Sequence, residues 1–175
     1  MSEQLHRFLR DVHVLARLVQ QVLETGYLSR SAPGGLTFDQ LNVLKFLGRP
    51  GTSRVKDVSH FLNASYAAAS KAVSRLEEKG LVRKTRIGSD RRSERVELNA
   101  KGRSIVRRYE NLKARRVTAL LEGSDIDGLS DGLERVIQLL LKERGVAGNP
   151  CLGCGAYYTP TCIIRGQGLP SRCQP

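Results

Sequence analysis

Four cysteines are the residues of this sequence whose type and spacing point most directly to chemistry, and all of them lie within the last 25 residues. They follow the pattern C-x2-C-x7-C-x10-C and are Cys151, Cys154, Cys162 and Cys173. The segment that carries them is rich in Gly and Pro and shows neither a helical nor a strand period, so burial alone cannot order it. Four thiolates around one metal centre would supply the missing ordering energy.

Several uses of these thiols are compatible with the spacing. Disulfides are disfavoured in a reducing cytoplasm, although a switchable thiol pair or a metal-free tail remains open. A thioredoxin-like use of Cys151 and Cys154 requires a strand before the pair and a helix after it, and haem attachment requires His where Gly155 stands. Structural zinc and an iron–sulfur cluster are left. One close pair with two single cysteines at unequal gaps favours the cluster, of the 4Fe–4S type, with Zn²⁺ as the alternative.

A second group of informative residues lies on a predicted helix between Ser65 and Gly80. Ser65 is a good N-cap, and Gly80 stands where a left-handed residue commonly follows a helix. The spacing of Ala69, Val73 and Leu76 predicts a buried face. The opposite face, which includes Ser74, is small and polar, as expected of a helix that enters a DNA groove. The candidate DNA contacts on this helix are Ser65, Tyr66, Ser70, Lys71 and Arg75.

Two short predicted strands follow this helix, Leu81–Thr85 and Glu94–Leu98, with a basic, glycine-containing turn between them. Helix, strand, basic loop and strand is the order of a winged helix. In that arrangement the helix reads the major groove and the hairpin tip reaches the minor groove or the backbone. An exposed arginine at the tip suits the narrow, negative minor groove. We therefore expect Arg91 and Arg92 to contact DNA.

The segment from Asp90 to Asn99 resembles the wing signature of the MarR family, D-x-R-x-x-x-V-x-L-T. Asn99 replaces the final threonine, and because both residues are good N-caps the next helix should begin directly after it. Residues 74–82 resemble the end of that family's recognition helix, and the resemblance extends over residues 5–143. It implies that the protein is a transcription regulator and not an enzyme.

The same resemblance implies roles for the residues of the wing. Asp90 would hold the wing arginines in place, Arg92 would be a family-type wing residue, and Arg91 would lie at the tip. The cysteine-rich tail has no counterpart in the usual pattern of the family, so the resemblance says nothing about it.

Charge is concentrated where these motifs lie. The chain of 175 residues has a net charge of +12, and residues 65–116 hold 16 Lys and Arg against 6 Asp and Glu, which is a balance of +10. This distribution is the electrostatic footprint expected of a surface that binds phosphates. The sequence has no G-x-G-x-x-G motif and no P-loop, which disfavours the alternative of a redox enzyme. Without a membrane-length apolar run or a signal-peptide pattern, we expect a cytoplasmic protein with no membrane partner.

Apolar periodicity predicts the other helices. They are residues 3–24, Thr37 to Leu47, Arg54–Leu62, Asn99 to about Glu122, and a last helix from Ser124. Leu120 lies at core-like spacing in the fourth of these. The fold class is therefore mainly α with a small β-hairpin wing, that is, a winged helix-turn-helix with a helical dimerisation region. The predicted divisions are 1–35 for an N-terminal dimerisation helix, 36–99 for DNA binding, 100–144 for C-terminal dimerisation helices and 145–175 for the metal-centre tail.

The first and last helices offer more apolar surface than one small domain can cover. A homodimer follows, as the family resemblance also implies, and its twofold axis would present two reading helices to a pseudo-palindromic operator with half-sites about one helical turn apart. We expect the cluster to control operator affinity in response to redox state, oxygen or nitric oxide. The alternative is a structural zinc site in a regulator that senses a small phenolic or lipophilic ligand between its domains.

Overall fold

The fold is mainly helical with one antiparallel hairpin, as predicted. The computed structural model describes residues 2–32, 34–49, 54–86, 94–142 and 162–163. The elements in chain order are α1 (Glu3–Leu18), a π-helical segment (Val19–Gly26), α2 (Tyr27–Ser31), α3 (Phe38–Leu47), α4 (Val55–Leu62), α5 (Tyr66–Glu78), β1 (Val82–Arg86), β2 (Glu94–Leu98), α6 (Ala100–Leu120) and α7 (Ile126–Leu141). None of the helices that the structure describes combines the length and apolar character needed to cross a bilayer.

One hydrophobic core joins α2, α3, α4, α5, the hairpin and the first half of α6. At its centre Phe46 of α3 and Phe61 of α4 stack with ring centroids 4.5 Å apart. The capping box predicted at Thr37 is present: its hydroxyl accepts the Gln40 N–H, and the Gln40 side chain accepts the Thr37 N–H. These contacts fix the helix-turn-helix on a rigid support, because close-packed side chains have few alternative arrangements.

The N-terminal helical run is longer and less regular than predicted. We expected one helix over residues 3–24, but the run continues to Ser31 through the π-helical segment. Gly26 ends that segment, and a Cβ added there would lie 3.0 Å from the Gln21 carbonyl oxygen. Such close approach follows from the wider π turn, in which residue i bonds to residue i+5. Apolar spacing alone did not reveal it, since both helix types keep one side of the chain apolar.

The start of α6 is locked against the end of β1. Asn99 caps the helix, and its side-chain oxygen accepts the Gly102 N–H at 2.9 Å, which confirms the N-cap predicted there. A Cβ added at Gly102 would lie 2.2 Å from the Leu81 carbonyl oxygen and 3.3 Å from the Leu98 side chain. No real Cβ makes a contact as short as the first of these, so only glycine lets α6 approach the hairpin this closely.

A half-buried ionic cluster joins α3 to α6. The Lys45 ammonium lies 2.9 Å from one oxygen of Glu110, and Lys113 contacts the other. Burial alone would raise the pKa of Glu110, but hydrogen bonds and charges from Lys113 and Lys45 together lower it below its usual value. Burial lowers the pKa of Lys113, and the Lys45 charge adds to that shift. Beside the cluster the Tyr109 hydroxyl donates to the Leu23 carbonyl at 2.9 Å, which links α6 to the π-helical segment.

Helices α1 and α7 contribute no buried residue to this core. Their large apolar side chains are instead exposed, for example Phe8 and Leu15 on α1 and Leu129 and Leu133 on α7. The prediction that these helices carry more apolar surface than the domain covers is confirmed. Leu120 was assigned to the core and this was wrong: its exposure is 71% because α6 has already left the domain at its last turn.

We expect Gly102→Ala to destabilise the protein by about 1–3 kcal/mol, because the new methyl group must displace the Leu81 carbonyl or strain α6. The control is Gly132→Ala on α7, where a Cβ meets nothing within 4 Å. That change should be neutral or stabilise by up to about 1 kcal/mol through helix propensity. Denaturant unfolding at one protein concentration measures both. Equal midpoints for the two variants would contradict the close approach.

Candidate nucleic-acid interface

A tight turn sets the angle between α4 and α5. Asn63 ends α4 in the left-handed conformation with φ of 51°, which Asn tolerates better than most residues. Two residues later Ser65 begins α5, and its hydroxyl accepts the Ala68 N–H at 3.2 Å, so the predicted N-cap is present. Val58 and Phe61 of α4 are fully buried, and they hold this helix-turn-helix on the core.

Helix α5 has the two faces that the sequence predicts. Its inner face is Ala69, Val73 and Leu76, each no more than 1% exposed. Among the predicted DNA contacts, Ser65, Tyr66, Lys71 and Arg75 are exposed, and Ser70 is half-buried at the edge of the same surface. We call these five residues the α5 outer face. Neither cation of this face forms an ion pair with another described residue. Both remain available to phosphate.

Ser74 does not belong to this open surface, although the sequence placed it there. It is half-buried, and its hydroxyl accepts a hydrogen bond from the Lys84 ammonium of β1 at 2.9 Å. The same ammonium lies 3.3 Å from a Glu77 carboxylate oxygen, and the Lys84 N–H donates to Glu77 at 2.8 Å. These contacts brace α5 against the hairpin. Sequence reasoning missed Glu77 and Lys84 because their meeting depends on how the hairpin folds back.

The hairpin pairs in a simple antiparallel register, with Val82 opposite Leu98 and Arg86 opposite Glu94. This places β1 one residue later than the predicted Leu81–Thr85. On the exposed side Glu97 receives two cations, Arg83 at 3.1 Å and Arg95 at 3.0 Å. Like charges on neighbouring strands are thus held together by one carboxylate, as cross-strand pairing requires.

The predicted wing contacts Asp90, Arg91 and Arg92 lie outside the described residues. The strands that carry them into the tip are described, and β2 extends from Glu94 to Leu98. An isolated bridge between Arg54 and Arg95 adds the start of α4 to the same sheet edge. The base of the wing is therefore tied to the helix-turn-helix from two sides.

The end of α5 is held by residues distant in sequence. The Lys79 ammonium donates to the Gly35 carbonyl at 2.8 Å and to the Gln40 side-chain oxygen at 3.3 Å. The Lys79 carbonyl accepts from the Lys101 ammonium at 3.1 Å. Gly80 follows with φ of +67°, the left-handed position that the sequence predicts for it. Both ends of α5 are thus fixed, and its outer face needs no stabilising ion pairs.

Of the four predicted metal ligands, Cys162 alone lies within the described residues. Cys162 and its neighbour Ile163 are half-buried and pack against the hydrophobic core. The predicted ligands Cys151, Cys154 and Cys173 lie outside the described part of the chain. Within that part, no three His, Cys, Asp or Glu side chains come together as a metal site would require.

Comparison with known proteins identifies the fold's family. A MarR family model matches residues 34–93, which span the helix-turn-helix and most of the hairpin. The uncharacterized HTH-type transcriptional regulator YfiV of Bacillus subtilis strain 168 is 30% identical over 127 residues, covering 71% of this chain and 79% of that protein. The chain belongs to the MarR family. It is a DNA-binding transcription regulator and not an enzyme, as the sequence resemblance implied.

Solved MarR structures share the architecture. MarR family transcription regulator SP03579 superposes with a TM-score of 0.61 at 21% identity, over 81% of this chain and 95% of that one. RV1404 from Mycobacterium tuberculosis gives 0.62 at 18% identity, over 83% and 96%. The heme sensor protein PefR from Streptococcus agalactiae, solved with heme, gives 0.59 at 21% identity, over 79% and 94%. At these identities the likeness of this MarR protein to them shows the fold alone.

Proposed function

We propose that this MarR protein is a homodimer that binds a pseudo-palindromic operator through two copies of the α5 outer face. One observation carries the proposal: α5 is anchored from inside and at both ends, while its outer face is bare and positively charged. A helix that enters the major groove needs such a surface, because bulky or paired side chains there would block the base edges.

The residues of the outer face divide by position along α5. Ser65 and Tyr66 lie at its first turn, where a recognition helix meets base edges most closely. Ser70 and Lys71 lie one turn later and would reach bases or backbone. Arg75 lies on the last full turn and would contact a phosphate. We extend the proposal to Arg91 and Arg92 as minor-groove contacts held by Asp90, on the strength of the wing signature.

Removing one phosphate contact should weaken binding to all sequences alike. For Lys71→Ala and Arg75→Ala we expect the slope of log affinity against log salt to fall by about 1 each, since each cation releases about one counterion. Arg91→Ala and Arg92→Ala should each cost about 1–3 kcal/mol if the arginine makes a specific contact. Fluorescence anisotropy on a DNA duplex selected from a random pool measures both quantities.

The matched control for this experiment is Arg7→Ala on α1, whose side chain is 77% exposed and paired only with Asp11 in the described chain. It should leave affinity and salt slope unchanged. Wild-type affinity in the variant that lacks both Lys71 and Arg75 would contradict the assignment of α5 as the reading helix.

We propose that the dimer forms through α1 and α7. Their exposed apolar side chains lie in rows at helical spacing: Leu5, Phe8, Leu9 and Leu15 on α1, and Leu129, Leu133, Ile137 and Leu140 on α7. Exposed apolar surface of this length marks an interaction site in a soluble protein. A second copy is the occupant that twofold operator binding requires, because it places the two reading helices on one side of the DNA.

Lys at Leu9 and Val12 should convert the dimer to a monomer, because an unpaired charge is heavily penalised in an apolar interface. The control carries Lys at Gln4 and Asp11, which lie on the polar side of α1. That protein should remain dimeric. Sedimentation velocity at micromolar concentration separates the two forms. A wild-type protein that sediments as a folded monomer would contradict the proposed assembly.

We further propose that the cysteine tail binds one metal centre, an iron–sulfur cluster before zinc, and that this centre adjusts operator affinity. Cys162 and Ile163 support the idea because they rest against the core, so the tail returns to the body of the protein. A cluster would supply a reversible change of charge and of ligand bonds, whereas zinc would act as a structural clip. Losing the centre would release the tail from the side of the domain that carries the reading helix and its support.

Anaerobically purified protein should absorb visible light and contain iron and sulfide. Each of Cys151→Ala, Cys154→Ala, Cys162→Ala and Cys173→Ala should abolish this absorption, since a cluster needs its complete ligand set. Thr161→Ala, next to Cys162, is the control and should retain it. Colourless protein with one zinc per chain would replace the cluster by the zinc alternative, and full colour in any cysteine variant would refute the proposed ligand set.

Sensing of a small molecule is the second candidate for regulation. A specific observation favours it: a cavity of about 430 Å³ lies between the π-helical segment, α2 and the start of α3. Its volume is within the range typical of small-molecule sites.

A further inference from the structure

The cavity is lined by an amphipathic set of side chains. Gln20 and Glu24 line it from the π-helical segment, Leu28 from α2 and Phe38 from the first turn of α3. Leu28 is buried and Phe38 is half-buried against Tyr109, with ring centroids 6.3 Å apart. The cavity therefore offers rigid apolar surface next to polar groups. That combination suits a small ligand with an apolar body and one polar end.

Glu24 is the single charged side chain among the lining residues. It is half-buried, and no described cation lies within ion-pair distance of its carboxylate. Burial raises the pKa of Glu24, and the nearby charge of Asp39 raises it further. Two carboxylates without a counter-charge create a negative potential in a partly desolvated space. A ligand ammonium would relieve it, because opposite charges attract more strongly where water is partly excluded.

The loop at the edge of the cavity is also the loop that holds the end of α5. Gly34 and Gly35 line the cavity with φ of +118° and +72°, and nothing lies within 4 Å of a Cβ built at either position. The loop is thus not fixed by its own side chains. Its contact with the recognition helix is the hydrogen bond from the Lys79 ammonium to the Gly35 carbonyl. A ligand that moves this loop acts on α5 directly.

We propose that this cavity binds a small amphiphilic amine, with its ammonium at Glu24 and its apolar body against Leu28 and Phe38. Occupancy moves the Gly34–Gly35 loop, and Lys79 passes the change to α5 and so to operator affinity. The regulatory half of this inference rests on the proposed DNA-binding function. The binding half does not, because the protein can be titrated with the amine in the absence of DNA.

The binding half is tested by calorimetric titration of the full chain with 4-phenylbutylamine and with 4-phenylbutan-1-ol, which have the same apolar body. The amine should bind about tenfold more tightly, the scale of one charge-assisted hydrogen bond. Glu24→Gln should remove this advantage and retain alcohol binding. The control Glu122→Gln alters an exposed carboxylate beyond α6 and should keep the advantage. Equal affinities in the wild type, or an advantage retained in Glu24→Gln, would overturn the site.

The regulatory half is tested by measuring affinity for the selected operator with and without saturating 4-phenylbutylamine. The wild type should show a several-fold change, and Lys79→Met, which lacks the ammonium, should show none. A change of equal size in Lys79→Met would overturn the role of that contact. An operator affinity that ignores bound amine in the wild type would overturn the coupling while leaving the site. Failure to select any operator would contradict the proposed function and leave the titration result standing.

Discussion

The backbone carbonyls at the end of α5 join the three parts of the molecule that must act together on DNA. A helix leaves its last carbonyls without intrahelical partners. Here the carbonyls of Lys79 and Gly80 accept from the side chains of Lys101 and Asn99, and the Leu81 carbonyl accepts the Asn99 N–H at 3.1 Å. The reading helix, the first wing strand and the start of α6 therefore share one junction, and none of them can shift without breaking hydrogen bonds to the other two.

This junction and the buried inner face together explain how α5 can be stable with so little on its outside. An isolated helix of 13 residues is marginal in water, and many surface helices add ion pairs to compensate. In α5 the stabilisation comes from burial of Ala69, Val73 and Leu76 and from the Glu77–Lys84 brace to the hairpin. Function benefits directly, because every outward side chain is left for the ligand. The ionic cluster between α3 and α6 plays the corresponding part at the back of the domain, where it ties the DNA-binding unit to the helix that leads towards α7.

Much of this could be predicted from the sequence, and the failures have a common cause. Helices α3 to α6, the caps at Thr37, Ser65 and Asn99, and the hairpin follow from local signals, namely periodicity and residue types within a few positions. What the sequence did not reveal depends on distance along the chain. Lys79 reaches a carbonyl 44 residues away, and Glu77 meets Lys84 only after the hairpin has folded back. Ser74 looked like a free polar residue for that reason. The π-helical segment was missed for a different one, since its apolar pattern fits either type of helix.

That segment also fixes a rotational relationship within the molecule. It lies between α1, whose apolar side is uncovered, and α2, which is part of the core. Each residue added to or removed from a helix turns everything before it by about 100° relative to everything after it. Loss of a single residue between Val19 and Gly26 would therefore aim the apolar side of α1 in a different direction while leaving the domain itself intact. In a twofold assembly such a change would alter the spacing and tilt of the two reading helices. Half-site geometry in this protein is thus encoded in part by eight residues that do not belong to the DNA-reading elements.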